Sequence, residues 1–229
     1  MEWFYVPSGE AEGKSSVFGL YRNFLPSSMY SDMKRWLVDN PNYQEGDKSE
    51  PMTIPRTQIW YQTEGQYFCP RWKGVFKRWS SVNYDSTLER LQSRIQDYTD
   101  KTVEKWNSCH PPVSRIQKPD INSCLVNRYR SGADSIKPHR DSPDSFGRTP
   151  TIIGLSMGST RTLVLQPTDT NSNHPSLEFK LSDNTLFLMA GQSQIDYLHS
   201  IPKVKKNKTD SSPLHRGERF SLTFREWNG

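Results

Sequence analysis

His139-Arg140-Asp141 places an imidazole and a carboxylate two positions apart. On an extended segment such residues project to the same face, where together they can grip one ion. Two protein ligands are not enough, so a third has to come from a strand laid alongside by the fold. His199, in Asp196-Tyr197-Leu198-His199-Ser200, is placed to supply it. Two histidines and one carboxylate leave coordination positions open, an arrangement that non-haem Fe(II) uses for a co-substrate and O2. A structural zinc site would be closed by a fourth ligand, and no suitable one is present. A His-x-Asp pair by itself, however, is more often a hydrogen-bonded surface group than a pair of ligands. His110, His174 and His215 lie in polar, proline-flanked or arginine-flanked stretches and read in that way.

A second chemical pattern stands near the C-terminus, in Arg219-Phe220-Ser221-Leu222-Thr223-Phe224-Arg225. Phe220, Leu222 and Phe224 alternate, which makes this a strand with one buried face and puts Arg219, Ser221, Thr223 and Arg225 on the other. Two arginines turned toward a barrel interior are costly unless each meets an anion. A dicarboxylic acid offers two anionic ends, and guanidinium grips carboxylate through a planar fork. Solvated arginines on an exposed edge strand would give the same alternation.

The elements that must position these groups follow from periodicity. A helix is predicted after Pro26-Ser27-Ser28, running to about Asp39, with Tyr30, Met33, Trp36 and Leu37 at helical spacing, serine available as a cap, and Asn40-Pro41 as its end. A second is predicted over Ser86 to Trp106, with Leu88, Leu91, Ile95 and Tyr98 on one face. From Ile121 the rhythm changes to short β-prone runs between turns: Ile121 to Arg130, Thr151 to Leu155, Thr162 to Gln166, Leu177 to Leu181, Thr185 to Met189, Tyr197 to Ile201 and Phe220 to Phe224. Many short strands without intervening helices predict a sandwich or barrel. The fold class is therefore α+β, mainly β, with two helices beside an all-β C-terminal core. The segment from about 50 to 85 belongs to neither and is rich in aromatic and basic residues.

Composition narrows the class further. The 229 residues are only 33% hydrophobic, yet the apolar residues are grouped, as in a folded protein with a modest core and long surface connections. No apolar run approaches the ~18 residues of a membrane span, and the N-terminus lacks the pattern of a secretory signal. Cys69, Cys109 and Cys124 are odd in number and without CxxC spacing, so they read as reduced thiols, with a cytoplasmic or nuclear location expected. A net charge of +5 is compatible with a polyanionic partner without establishing one.

Five motifs then occur in one order: Asn127-Arg128-Tyr129-Arg130-Ser131-Gly132; His139-x-Asp141; Leu155-Ser156-Met157-Gly158-Ser159-Thr160-Arg161; Tyr197-Leu198-His199-Ser200-Ile201-Pro202; and Arg219-x5-Arg225. Together they resemble the AlkB-like dioxygenases. Ile54-Pro55-Arg56-Thr57-Gln58 resembles the opening of that family's substrate-binding region, and the resemblance spans roughly 54 to 226. It implies a double-stranded β-helix (jelly-roll) core over 121–229, a substrate-recognition lid with a supporting helix over 51–120, and an N-terminal extension with one helix over 1–50, all within one compact domain. It implies Fe(II) on His139, Asp141 and His199, with 2-oxoglutarate and O2 as co-substrates. Tyr129 and Arg219 would hold the distal carboxylate of 2-oxoglutarate, and Asn127 and Arg225 the carboxylate nearer the metal. Ser221 stands where the family usually has asparagine, a shorter contact to the co-substrate.

The implied activity is oxidative demethylation of alkylated bases in DNA or RNA by a monomer that binds no membrane, with succinate, CO2 and formaldehyde released. In the lid, Tyr67, Phe68 and Trp72 suit stacking on a flipped-out base, and Arg71 and Lys73, like Arg56 upstream, suit polar contact to nucleic acid. The same rings would equally pack the lid onto the β core. Family members that repair bases often carry a base-reading carboxylate two residues beyond the iron aspartate. Here Pro143 holds that position, and Asp144, one step later, is the candidate to read the base in its place if the loop is re-shaped; otherwise the substrate is not a classical methylated base. Two other readings stay open: an oxygenase of the same fold acting on a protein side chain or making a base modification, and a non-catalytic nucleic-acid-binding module. Lys203, Lys205, Lys206 and Lys208 form a basic run that fits a nuclear signal, a phosphate contact or, the commonest case, a solvated loop.

Overall fold

Alternation at Phe220, Leu222 and Phe224 governs the centre of the molecule. In a computed structural model of the chain, which describes residues 1–8, 13–45, 54–63, 65–204 and 217–229, these three side chains are at most 1% exposed. In chain order the elements are β1 (Glu2–Pro7), β2 (Ser15–Arg22), α1 (Ser27–Asp39), β3 (Thr57–Tyr61), α2 (Ser86–Cys109), β4 (Ser123–Tyr129), β5 (Ile136–His139), α3 (Pro143–Phe146), β6 (Ile152–Gly158), β7 (Arg161–Pro167), β8 (Leu177–Leu181), β9 (Thr185–Gly191), α4 (Ser193–Asp196), β10 (Tyr197–Ile201) and β11 (Arg219–Arg225). A seven-stranded sheet runs β1-β2-β9-β6-β11-β4-β3, and a four-stranded sheet runs β5-β10-β7-β8. Every ladder between these strands is antiparallel. The two sheets form the β sandwich expected of a jelly roll.

Period-two alternation sorts side chains between two cores. Phe220, Leu222 and Phe224 of β11, with Ile153 and Leu155 of β6 and Leu186 of β9, meet Met33 and Leu37 of α1 and Leu88, Leu91 and Ile95 of α2. Their neighbours Ile152, Phe187 and Met189 turn the opposite way, onto Leu163, Leu165, Phe179, Leu181 and Tyr197 of the smaller sheet. Burying each of these large side chains contributes about 1.5–3 kcal/mol. The helices thus back the larger sheet, and the space between the sheets is left for the site.

Both predicted helices form within a few residues of their expected ends. Capping differs: α1 follows Pro26 with no side-chain cap, while at α2 the Asp85 carboxylate accepts from the backbone N–H groups of Thr87 and Leu88. Four strands were not expected from the sequence. β1 and β2 extend the larger sheet through the β2–β9 ladder, so residues 1–50 contribute two strands as well as a helix. β3 forms an edge of that sheet within the segment assigned to the lid, and β5 is a four-residue edge of the smaller sheet.

Gly191 ends β9 in the left-handed region at φ +62°, where an added Cβ would collide with the carbonyl oxygen of Ser15. Left-handed strain and overpacking together predict that Gly191→Ala destabilises the fold by about 3 kcal/mol. At this chain length that is a Tm lower by roughly 6–12 °C in a thermal melt. An unchanged Tm would mean that β2 and β9 separate at little cost.

Candidate metal centre and its cavity

Antiparallel pairing of β5 with β10 sets His139 directly opposite His199, with ring centroids 4.2 Å apart. Asp141 lies just beyond the end of β5. One ligand atom from each of the three residues falls within 4.8 Å of the others, and among the described residues this is the group of that kind. Asp141 and His199 are 7% and 8% exposed. His139 Nδ1 lies 2.8 Å from the Lys137 carbonyl oxygen; as donor to that carbonyl, Nδ1 leaves Nε2 with its lone pair for a metal.

The electrostatics favour the ligating protonation states. Burial pulls the His199 imidazole down to about 3, and the neighbouring His139 adds to the effect. Burial likewise lowers His139, against the opposing pull of Asp141. For Asp141 burial pushes upward, but Arg225 and the two imidazoles outweigh it and hold the carboxyl below the usual range. Two neutral imidazoles and one carboxylate are what a divalent cation requires.

Arg225 meets an anion within the chain itself. Its Nε donates to Asp141 Oδ2 at 2.5 Å and an Nη atom to Oδ1 at 3.4 Å, and both side chains are almost wholly buried. The anion it meets is therefore the aspartate. Arg219 differs. It is 1% exposed. Its Nε donates to Ser156 Oγ at 2.9 Å, one Nη atom reaches Ser221 Oγ at 3.4 Å, and the Tyr129 ring lies beneath its guanidinium at 5.1 Å. Its Nη1 is buried with no hydrogen-bond partner among the described residues. Burial pulls Arg219 down to about 10, still charged at neutral pH. A buried cation with an orphaned donor is the mark of an anion site.

One cavity of about 600 Å³ joins these groups. Register explains the assembly: β11 lies between β4 and β6, with Arg219 beside Tyr129 and Ser221 beside both Asn127 and Ser156. Arg219, Ser221, Thr223 and Arg225 all line the cavity, as do Asn127, Tyr129 and the three metal-ligand candidates. Asn127 Oδ1 accepts from Arg56 Nε at 2.6 Å. Of the candidate substrate contacts, Arg56, Phe68 and Trp72 reach the cavity wall, and Tyr67, Arg71, Lys73 and Asp144 are not part of it. Phe68 and Trp72 also pack with Trp60, Trp79 and Phe146 into one aromatic cluster, so the rings both close the lid and face the cavity. Arg71 pairs with Asp144 at 2.9 Å, while Lys73 is exposed.

The remaining histidines behave as surface groups. His110 stacks on Trp106 and His174 Nε2 lies 3.0 Å from the Pro7 carbonyl oxygen. His215 lies outside the described residues, as do Lys205, Lys206 and Lys208.

The sequence profile of the 2OG-Fe(II) oxygenase superfamily matches residues 18–225. The chain belongs to that superfamily. Human alpha-ketoglutarate-dependent dioxygenase alkB homolog 3 is 36% identical over 149 residues, which cover 62% of this chain and 43% of the human protein. Its rat counterpart is 36% identical over 201 residues, 84% of this chain and 58% of the rat protein. Bovine DNA oxidative demethylase ALKBH2 is 29% identical over 119 residues, 50% of this chain and 40% of its own length. The chain thus spans about half the length of the curated relatives it matches, and it is an AlkB-like member. The solved structure of OsALKBH1 superposes with a TM-score of 0.61 at 16% identity, covering 92% of this chain and 96% of that one. A prolyl hydroxylase from Trichoplax adhaerens, solved with a hypoxia inducible factor peptide, gives 0.56 at 13% identity, covering 92% and 83%. At those identities the likeness is one of fold, and it is the jelly roll.

Fe(II), 2-oxoglutarate and O2 are the reagents of a 2OG-Fe(II) oxygenase, and the residues present fit them. The donor set is two imidazoles and a carboxylate with open positions, and the orphaned Arg219 Nη1 fits a carboxylate of the co-substrate.

Three supporting residues of this 2OG oxygenase were not singled out as site residues from the sequence. Ser156 seats Arg219. Arg161 donates to the carbonyl oxygens of Ser131, Asp134 and Pro202, tying the loop before β5 to the end of β10. Both sit inside a motif already noted. Gln194 had no signal at all: 4% exposed, it accepts the Asp141 backbone N–H at 3.0 Å through Oε1. Gln194→Leu should weaken Mn(II) binding about 10–100-fold; an unchanged titration would remove Gln194 from the support of the metal ligands.

Proposed function

We propose that the chain is an oxidative demethylase of alkylated nucleobases in DNA or RNA. The observation that carries this is a single cavity holding three converging ligand atoms and an arginine with an unfilled anion-binding donor, roofed by aromatic side chains. The name of the ALKBH2 relatives, DNA oxidative demethylase, points the same way.

In this reading His139, Asp141 and His199 hold Fe(II). Arg219 receives the distal carboxylate of 2-oxoglutarate, with Tyr129 beneath it and Ser221 beside it, and Asn127 and Arg225 flank the carboxylate nearer the metal. Bound Fe(II) supplies O2 activation coupled to decarboxylation of 2-oxoglutarate to succinate, and hydroxylation of an N-methyl carbon that then leaves as formaldehyde. Phe68 and Trp72 stack on the flipped-out base, which offsets an unstacking cost of a few kcal/mol at about 1–3 kcal/mol per ring. Arg71 and Lys73 outside the cavity, and the exposed Lys137 and Arg140 on its wall, meet phosphates.

Incubation with Fe(II), 2-oxoglutarate and a panel of methylated oligonucleotides should yield succinate and remove methyl groups in step. Succinate formed while every oligonucleotide keeps its methyl would favour oxidation of a different substrate, such as a protein side chain. Affinity for a single strand should fall about 50-fold between 50 and 200 mM salt if roughly four phosphates are contacted. A flat salt response would remove the phosphate contacts.

A further inference from the structure

We infer that the cavity selects an uncharged methylated base that presents a carbonyl oxygen to Arg56, and discriminates against the cationic bases formed when a ring nitrogen of adenine or cytosine is methylated. This inference rests on the demethylase reading and specifies its substrate.

Charge is the first reason. Five cationic side chains line the cavity, Arg56, Lys137, Arg140, Arg219 and Arg225, against one carboxylate, Asp141. That carboxylate is already engaged by Arg225 at 2.5 Å. A divalent metal and a dicarboxylate dianion cancel one another, so loading the site leaves the excess in place. Lys137 and Arg140 are exposed and free to meet phosphates, which leaves Arg56 and Arg219 as the inner cations. Asp144 does not redress the balance, because it stands off the cavity wall in an ion pair with Arg71. Among the described residues, no other acidic side chain reaches the wall. A cation entering such a space is repelled over short distances in a medium of reduced dielectric.

Hydrogen-bond polarity is the second reason. Arg56 is 7% exposed on the cavity wall; its Nε donates to Asn127 Oδ1 at 2.6 Å and its Nη1 to the Ser135 carbonyl oxygen at 3.4 Å, which leaves Nη2 to meet a ligand. Guanidinium has donors and no acceptor. A carbonyl on the base edge satisfies it, whereas the amino group of a methylated adenine or cytosine cation sets donor against donor. A site left with unpaired buried donors rejects the mismatched ligand strongly.

3-Methyluracil and 3-methylcytosine form a matched pair: the same ring and methyl position, one neutral with two carbonyls, the other cationic with an amino group. In otherwise identical single-stranded oligonucleotides, the 3-methyluracil substrate should show at least tenfold higher kcat/KM. It should also bind at least tenfold more tightly to the Mn(II)-loaded protein without O2, read by fluorescence anisotropy. Arg56→Met should erase that preference. Ser142→Asp should shift it at least tenfold toward 3-methylcytosine, because Ser142 is on the cavity wall beside Asp141 and its side chain makes no capping bond to α3. Equal or preferential use of 3-methylcytosine by the unaltered protein would overturn the inference and leave demethylation standing. If neither substrate lost its methyl while another oligonucleotide of the panel did, the inference would fall and demethylation would stand; if none did, the demethylase reading would fall, and the binding ratio alone would decide whether the cavity discriminates by charge.

Discussion

Asp141→Ala will abolish metal binding and turnover together. The carboxylate is the sole anionic member of the triad, and removing it leaves two neutral imidazoles, too few ligands to hold a divalent cation. It also strips Arg225 of its buried partner. Leaving one member of a buried ion pair uncompensated costs about 3–5 kcal/mol, so the alanine variant should be markedly less stable as well as inactive. Asp141→Asn separates the two effects. It keeps the shape and an oxygen to accept from Arg225 while removing the charge, so it should stay folded and still lose at least 100-fold in Mn(II) affinity. Isothermal titration with Mn(II), alongside chemical unfolding, distinguishes the outcomes. Mn(II) affinity within tenfold of the unaltered protein in both variants would remove Asp141 from the metal.

Arg219→Met should have the second-largest effect, and its sign on stability is unusual. The guanidinium is fully buried with one donor unfilled, so replacing it with an apolar side chain of similar length costs little in the protein alone and can raise its stability. With co-substrate the order reverses. Each charge-assisted hydrogen bond to a carboxylate is worth about 1.5–3 kcal/mol, so losing the fork should raise the 2-oxoglutarate requirement about 100-fold or more. The unaltered Mn(II) protein should gain about 2.7 kcal/mol of stability at 2-oxoglutarate 100 times its Kd, and the variant should gain almost none at the same concentration. A co-substrate requirement that does not change would place the dicarboxylate elsewhere.

Several features of the site were legible locally. His-x-Asp on an extended segment and the alternation of Phe220, Leu222 and Phe224 require nothing beyond backbone geometry, and both hold in three dimensions. Three of the four missed strands have identifiable causes. β5 contains Pro138 and is a short, mostly exposed edge, the position where proline is tolerated but the apolar pattern fades. β2 is buried from Ser16 to Leu20 and β3 along its whole length, so neither shows the polar–apolar alternation that reveals a half-buried strand. In the lid, stacking on a base and packing onto the core were set out as alternatives, yet Phe68 and Trp72 do the second while facing the cavity.

From the sequence alone came the donor types, the face of β11 that carries the arginines, and the mainly β architecture, because residue chemistry and period-two geometry are local properties. Tertiary structure alone decided that His199 stands opposite His139, that the partner of Arg225 is Asp141, and that Asp144 is spent on Arg71 outside the cavity. Those outcomes depend on strand register and on where loops close. Both are set by the burial of many distant side chains at once, so no short window of the chain contains them.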